Sequence, residues 1–213
     1  MGSKGVETDG VIDWLTIHYA RWTHRKILDI QEYSAEGVED SIYWYNSDSN
    51  RGGHCTPFNT ILMNQNPLEE VSKKVTDYVF LHESGHANQH PILRVMLYAA
   101  LFPTIIMAIA APFFAVAQTI SVFVLTESLR LTALKGAASL IVVGITTSAF
   151  GLVSWIDEGY AELFALNRLG KETYLQSHQE IREHADRPIY RKIIHRVRYP
   201  FPCFIVWISE NLR

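Results

Sequence analysis

The chain has 213 residues, is 48% hydrophobic and carries a formal net charge of −3. That length suits one domain, or one domain with a membrane element, and the slightly acidic balance leaves no electrostatic footprint for a nucleic-acid partner. Two cysteines, Cys55 and Cys203, are too few and too far apart for a disulfide framework, and no CxxC pair occurs.

Residues 1–9 are polar, with no apolar run and cleavage site of a signal peptide, and Val6 stands where a myristoylation signal needs Ser or Thr. Residues 11–31 place Ile12, Leu15, Tyr19 and Trp22 at helical spacing, with Arg21, Arg25 and Lys26 beside them. The stretch reads as one helix, either packing on the core or lying in a membrane interface with Trp14 and Trp22 at headgroup depth. Ser41–Tyr45 then reads as a strand and Asn46–Gly53 as a loop, with His54-Cys55 a structural pair rather than a ligand pair. Asn59-Thr60-Ile61-Leu62-Met63-Asn64 is a second β-type run.

Residues 68–90 read as a helix that contains His82-Glu83-Ser84-Gly85-His86, an HExxH pattern. Residues four apart share one helix face, so His82 and His86 offer two imidazoles to one metal ion, with Glu83 beside them as a base for a metal-activated water. Gly85 sits inside this helix at a cost of about 1 kcal/mol, and a small residue there lets another segment approach closely. His90 lies about 12 Å along the axis from His82 and reads as a helix-end residue.

Val95 to Leu125 and Gly136 to Ile156 carry no formal charge, and each is long enough to span the hydrocarbon core of a bilayer as a helix. Pro103 and Pro112 fall in the first. The connection Thr126–Lys135 makes the pair a hairpin, so His82 and His86 emerge on the same side as the segment from Trp155. Lys73, Lys74, Arg94, Arg168 and Lys171 at the outer ends, against Arg130 and Lys135 in the loop, favour a cytoplasmic side for the HExxH motif.

Beyond the second run, helical spacing puts Glu158, Glu162 and Ala165 on one side, with Gly170 as a C-cap. Glu158 completes a His, His, Glu set, one of the standard catalytic zinc sets, and leaves a coordination position open. Glu162 suits an acceptor for a ligand histidine N–H, and the small Ala161 and Ala165 permit close helix approach.

With His82-Glu83-Ser84-Gly85-His86 followed by Glu158-Gly159-Tyr160-Ala161-Glu162-Leu163-Phe164-Ala165, residues 59–170 resemble the membrane-bound gluzincin metalloproteases of the HtpX heat-shock type, related to the CAAX prenyl endopeptidases. That family carries HExxH and a later ExxADxxA, commonly with transmembrane segments between. The resemblance implies that His82, His86 and Glu158 hold one zinc ion per chain, that Glu83 is the general base, and that Glu162 replaces an aspartate. It also casts Asn59–Asn64 as an edge strand that pairs with extended substrate, an ordinary sheet strand being the alternative. The chain departs from the family in lacking a pair of membrane helices ahead of the motif and an evident His-Pro-Pro element downstream. Tyr199, His184, Arg187, Arg196 and Arg198 are the candidates for the oxyanion-stabilising group.

The C-terminal stretch turns basic, and Pro200–Ile208, apolar but too short to span, either packs on the catalytic domain or lies in the interface. The expected fold is therefore mainly α with a small β-sheet, an α+β gluzincin-like catalytic domain, plus a two-helix transmembrane hairpin. Residues 1–90 hold the edge strand and HExxH helix, 91–156 the hairpin, and 157–213 the third ligand. The expected function is a membrane-embedded zinc metalloendopeptidase acting on polypeptides, membrane proteins among them, in an integral membrane protein. The alternative is a zinc-binding membrane sensor or scaffold with little turnover.

Overall fold

A computed structural model describes residues 10–126, 128–184 and 189–212, with residues 189–192 described by their backbone alone. Residues 1–9 and Arg187, a candidate for the oxyanion group, lie outside the described residues. In order, the elements are α1 (Val11–Trp22), β1 (Lys26–Ala35), β2 (Val38–Asn46), β3 (Gly53–Cys55), β4 (Ile61–Asn64), α2 (Gln65–Glu69), α3 (Lys73–Ala87), α4 (Pro91–Thr126), α5 (Leu129–Leu169), α6 (Lys171–His184), α7 (Ile189–Arg198) and α8 (Pro202–Asn211). The chain is thus mainly helical with a small sheet and two long apolar helices. It gathers into two units: Met1–Gln89 with Gly159–Pro188 and Phe201–Arg213, and His90–Glu158 with Ile189–Pro200.

The first unit is built on a four-stranded sheet of order β1-β2-β4-β3. β1 and β2 form an antiparallel hairpin whose turn, Glu36-Gly37, holds φ of 48° and 75°, matching the twist of the strands it joins. β4 runs parallel to β2 and antiparallel to β3. Because strand side chains alternate between faces, Ile61 and Met63 join Ile42, Phe80, Leu81, Ala165, Tyr174 and Ile205 on one side, while Leu62 joins Ala20, Tyr43 and Tyr45 on the other. A strand with apolar side chains buried on both faces belongs inside a sheet.

That arrangement corrects the reading of Asn59–Asn64 as an edge strand. Asn59, at φ 64°, and Thr60 precede the strand in a turn, and Ile61, Leu62, Met63 and Asn64 are hydrogen-bonded between β2 and β3, so their backbone has no free edge for another chain. The edge next to α3 is β3, where a loop was expected at Gly53.

Two helix boundaries also move. The expected helix over 11–31 stops at Trp22, where the Thr23 hydroxyl donates to the carbonyls of Tyr19 and Ala20 and His24 takes φ 58°. Lys26–Ala35 is a strand instead, because pairing with β2 lets Ile27 and Ile30 pack on the Tyr43 and Leu62 cluster, which outweighs local helical periodicity. The expected helix over 68–90 is interrupted between Glu69 and Lys73, and Ser72 stands at the N-cap position of α3. There the Glu180 carboxylate of α6 accepts hydrogen bonds from the Ser72 N–H and hydroxyl at 2.6 and 2.7 Å, which fixes where α3 begins.

The second unit contains α4, α5 as far as Glu158, and α7. At 36 and 41 residues, α4 and α5 are long and apolar enough to cross a membrane, with 18-residue windows of mean hydropathy 2.2 and 1.8. Only 6% and 11% of those windows is buried, where the core helix of a soluble domain would be mostly hidden. α4 carries Pro103 and Pro112 without a break. It does not continue α3: Asn88, Gln89 and His90 separate them, with His90 Nδ1 accepting from the Ile92 N–H at 3.3 Å at the start of α4. The linker between α4 and α5 is shorter than expected, since helix resumes at Leu129.

Candidate metal centre

α3 presents the HExxH motif on its packed face. His82, Glu83, Ser84 and Gly85 are buried, and the His82 and His86 rings lie 5.0 Å apart between centroids, as the one-turn spacing requires. One ligand atom from each of His82, His86 and Glu158 lies within 4.8 Å of the others, a group able to hold a metal ion. Glu158 stands one turn before Glu162 on the unbroken α5. Two imidazoles and a carboxylate form a borderline nitrogen and oxygen donor set that fits zinc and is one ligand short of a tetrahedral shell.

Two glycines make the arrangement sterically possible. A Cβ at Gly85 would lie 2.7 Å from the Cα of Ala161, a backbone atom that cannot swing aside, so α3 and the end of α5 can cross this closely only with glycine here. Ala161 and Ala165 are fully buried at the crossing, as their small size suggested. Gly53 of β3 does the same for Glu83: a Cβ there would meet Glu83 Cγ at 2.8 Å and Glu83 Oε1 at 3.2 Å. The sheet edge and the Glu83 side chain are therefore in contact.

Glu162 lies at the centre of a buried polar cluster. Its Oε1 accepts from the Tyr78 hydroxyl at 2.8 Å and lies 3.5 Å from His82 Nδ1. Its Oε2 accepts from the Tyr174 hydroxyl at 2.8 Å and faces His178 Nε2 at 3.2 Å. Burial opposes charge on Glu162, but the hydrogen bond from His178, the neighbouring histidines and Tyr174 outweigh it and hold the carboxyl well below the ordinary carboxylate range. Burial, with the Glu162 charge second, pushes the Tyr174 hydroxyl up, so it stays a donor. Tyr78, Tyr174 and His178 were not singled out from the sequence. Spacing was the available signal: Tyr78 is four residues before His82, and Tyr174 four before His178.

Of the oxyanion candidates, Arg198 reaches the metal group: a guanidinium nitrogen lies 3.1 Å from Glu158 Oε1. Tyr199 stacks on His195 at 4.4 Å between centroids, with the Arg198 guanidinium over its ring. His184 is exposed and pairs through Nδ1 with the Glu180 carbonyl of its own helix, and Arg196 is exposed on α7. His54 pairs with the Tyr19 hydroxyl at 2.9 Å. Comparison of the chain with protein-family models, with curated proteins and with solved structures finds no match.

Proposed function

We propose that this chain is a membrane-embedded zinc metalloendopeptidase, similar to the HtpX-type gluzincins, that hydrolyses peptide bonds of polypeptide substrates at or near a bilayer. The observation that carries the reading is the buried Glu83 beside a His82, His86 and Glu158 group. Zinc, when bound, supplies a Lewis acid that acidifies a water molecule and polarises a carbonyl. Glu83 takes a proton from the attacking water and returns it to the leaving amine. Its contact with Gly53 keeps the carboxylate from swinging toward β3. A histidine offers a metal its unprotonated ring nitrogen, and the Glu162 carboxylate, 3.5 Å from His82 Nδ1, favours the tautomer with the proton on that atom.

The substrate strand moves with the sheet order. β3 pairs with β4 on one side, and among the described residues no strand covers the other, so an extended peptide adds to Gly53–Cys55 rather than to Ile61–Asn64. α4 and α5 span the bilayer in this reading, and the basic residues at their outer ends favour a cytoplasmic catalytic side.

The test compares wild type with Glu83→Gln on an unfolded protein substrate in detergent. Loss of about a hundredfold or more in turnover is expected, and equal cleavage by both sinks the assignment. One equivalent of bound metal with no cleavage of any polypeptide returns the chain to the sensor or scaffold reading.

A further inference from the structure

α7 is amphipathic in a way the metal group does not use. By helical spacing, Ile193, Ile194 and Val197 share an arc of about 100°, and His195, Arg196 and Arg198 take the opposite side. The same ten-residue helix also holds Arg191 and Lys192 in its sequence. Its apolar side is only partly covered: Ile193 and Ile194 are each 58% exposed.

What lies beside that exposed face is the end of the long apolar run of α5, in the same unit. A Cβ added at Gly151 would lie 3.1 Å from the Val197 carbonyl oxygen, so the backbones of α5 and α7 are nearly in contact there. Gly151 is five residues inside the end of the charge-free run at Ile156, about 7–8 Å along the helix axis. An interfacial helix sinks its apolar face about 5–10 Å into the boundary between headgroups and acyl chains, so the contact falls at that depth.

From the segregated face, the cluster of cations and the depth of the Gly151 contact, we propose that α7 is an interfacial helix that seats Ile193 and Ile194 in the acyl boundary and binds anionic phospholipid headgroups through its basic side. The inference rests on the membrane reading of α4 and α5. Arg198 is engaged by Glu158, so among the described side chains headgroup binding falls to the exposed Arg196. Anionic lipid is the occupant that matches both sides of the helix: one face needs hydrocarbon, the other needs negative charge.

The experiment uses the full chain with Cys203→Ser, labelled with an environment-sensitive dye at Ile194→Cys or Ile193→Cys on α7, or at Ile141→Cys on α5 as a control for the span. Each protein is reconstituted into phosphatidylcholine bilayers with and without phosphatidylglycerol, and quenching by acyl-chain-brominated lipid is compared with quenching by aqueous iodide. The α7 labels should lose fluorescence to brominated lipid, more strongly with phosphatidylglycerol, and Arg196→Gln should abolish that increment. Quenching at Ile141 without quenching at either α7 position overturns the inference and leaves the membrane reading standing. No lipid quenching at Ile141 overturns the membrane reading itself. Lipid quenching of α7 that ignores headgroup charge overturns the anionic assignment, and α7 labels shielded from lipid and iodide alike point to a protein partner or second copy, and overturn it too.

Discussion

Nδ1 of His82 lies 3.5 Å from Oε1 of Glu162, a buried carboxylate that also receives the hydroxyls of Tyr78 and Tyr174. A carboxylate so placed favours the imidazole tautomer with its proton on Nδ1, which in the proposed site would leave Nε2 for the metal. Glu162→Gln is therefore expected to weaken zinc binding about 10–100-fold, read by chelator competition. An unchanged dissociation constant would show that the carboxylate only packs the core.

Acid stability of the metal-free protein should depend on the same group. The folded-state pKa of Glu162 is depressed, so its ionised form contributes stability that is fully present above its unfolded value, about 4.3, and is lost as pH falls through the folded value. The melting temperature of metal-free wild type is expected to drop on acidification below about pH 4, and Glu162→Gln to flatten that part of the profile. Parallel profiles for the two proteins would contradict the shift.

Gly85→Ala tests the crossing of α3 and α5. The added methyl meets the Cα of Ala161, and neither helix can retreat without losing core contacts, so a cost of about 1–3 kcal/mol is expected. Thermal unfolding should show it as a fall in melting temperature together with lost metal. A variant as stable as wild type would mean that the helices do not cross this closely.

Gly53→Ala separates base position from metal binding. The methyl would meet Glu83 Cγ and Val79 Cγ1 at 2.8 Å each, and a helical valine is stiff at χ1, so a stability cost of about 1–3 kcal/mol is expected as Glu83 is displaced. Misplacing a reacting group by about 1 Å costs up to about a hundredfold in rate. The expected result is turnover reduced toward that figure with metal content unchanged, measured by peptide hydrolysis and metal analysis on one preparation.

Arg198 holds Glu158 at 3.1 Å, and a ligating carboxylate is itself positioned by its hydrogen-bond donors. Arg198→Gln should weaken zinc binding about tenfold, with partial recovery in Arg198→Lys. Tighter zinc binding in Arg198→Gln would instead make the arginine a competitor of the metal for Glu158.

The local sequence determined the parts of this protein that repeat within one element. HExxH spacing put His82 and His86 on one face of a helix, charge-free runs marked α4 and α5, and Gly170, at φ 78°, ends α5 as a glycine C-cap should. Even the approach of Glu162 to a motif histidine was legible, since it follows Glu158 by one turn, and its Oε1 lies 3.5 Å from His82 Nδ1.

Tertiary structure alone decided what depends on segments distant in sequence. No local pattern says that β4 lies between β2 and β3, because an apolar strand reads alike at an edge or in the middle until its neighbours are known. The same holds for Lys26–Gln31, where pairing with β2 overrode a helical pattern, and for Tyr78, Tyr174 and His178, which converge on one carboxylate from two helices. Periodicity is a property of the backbone between neighbours. Register, edge and convergence arise only when the folded chain brings distant residues within a few ångströms of one another.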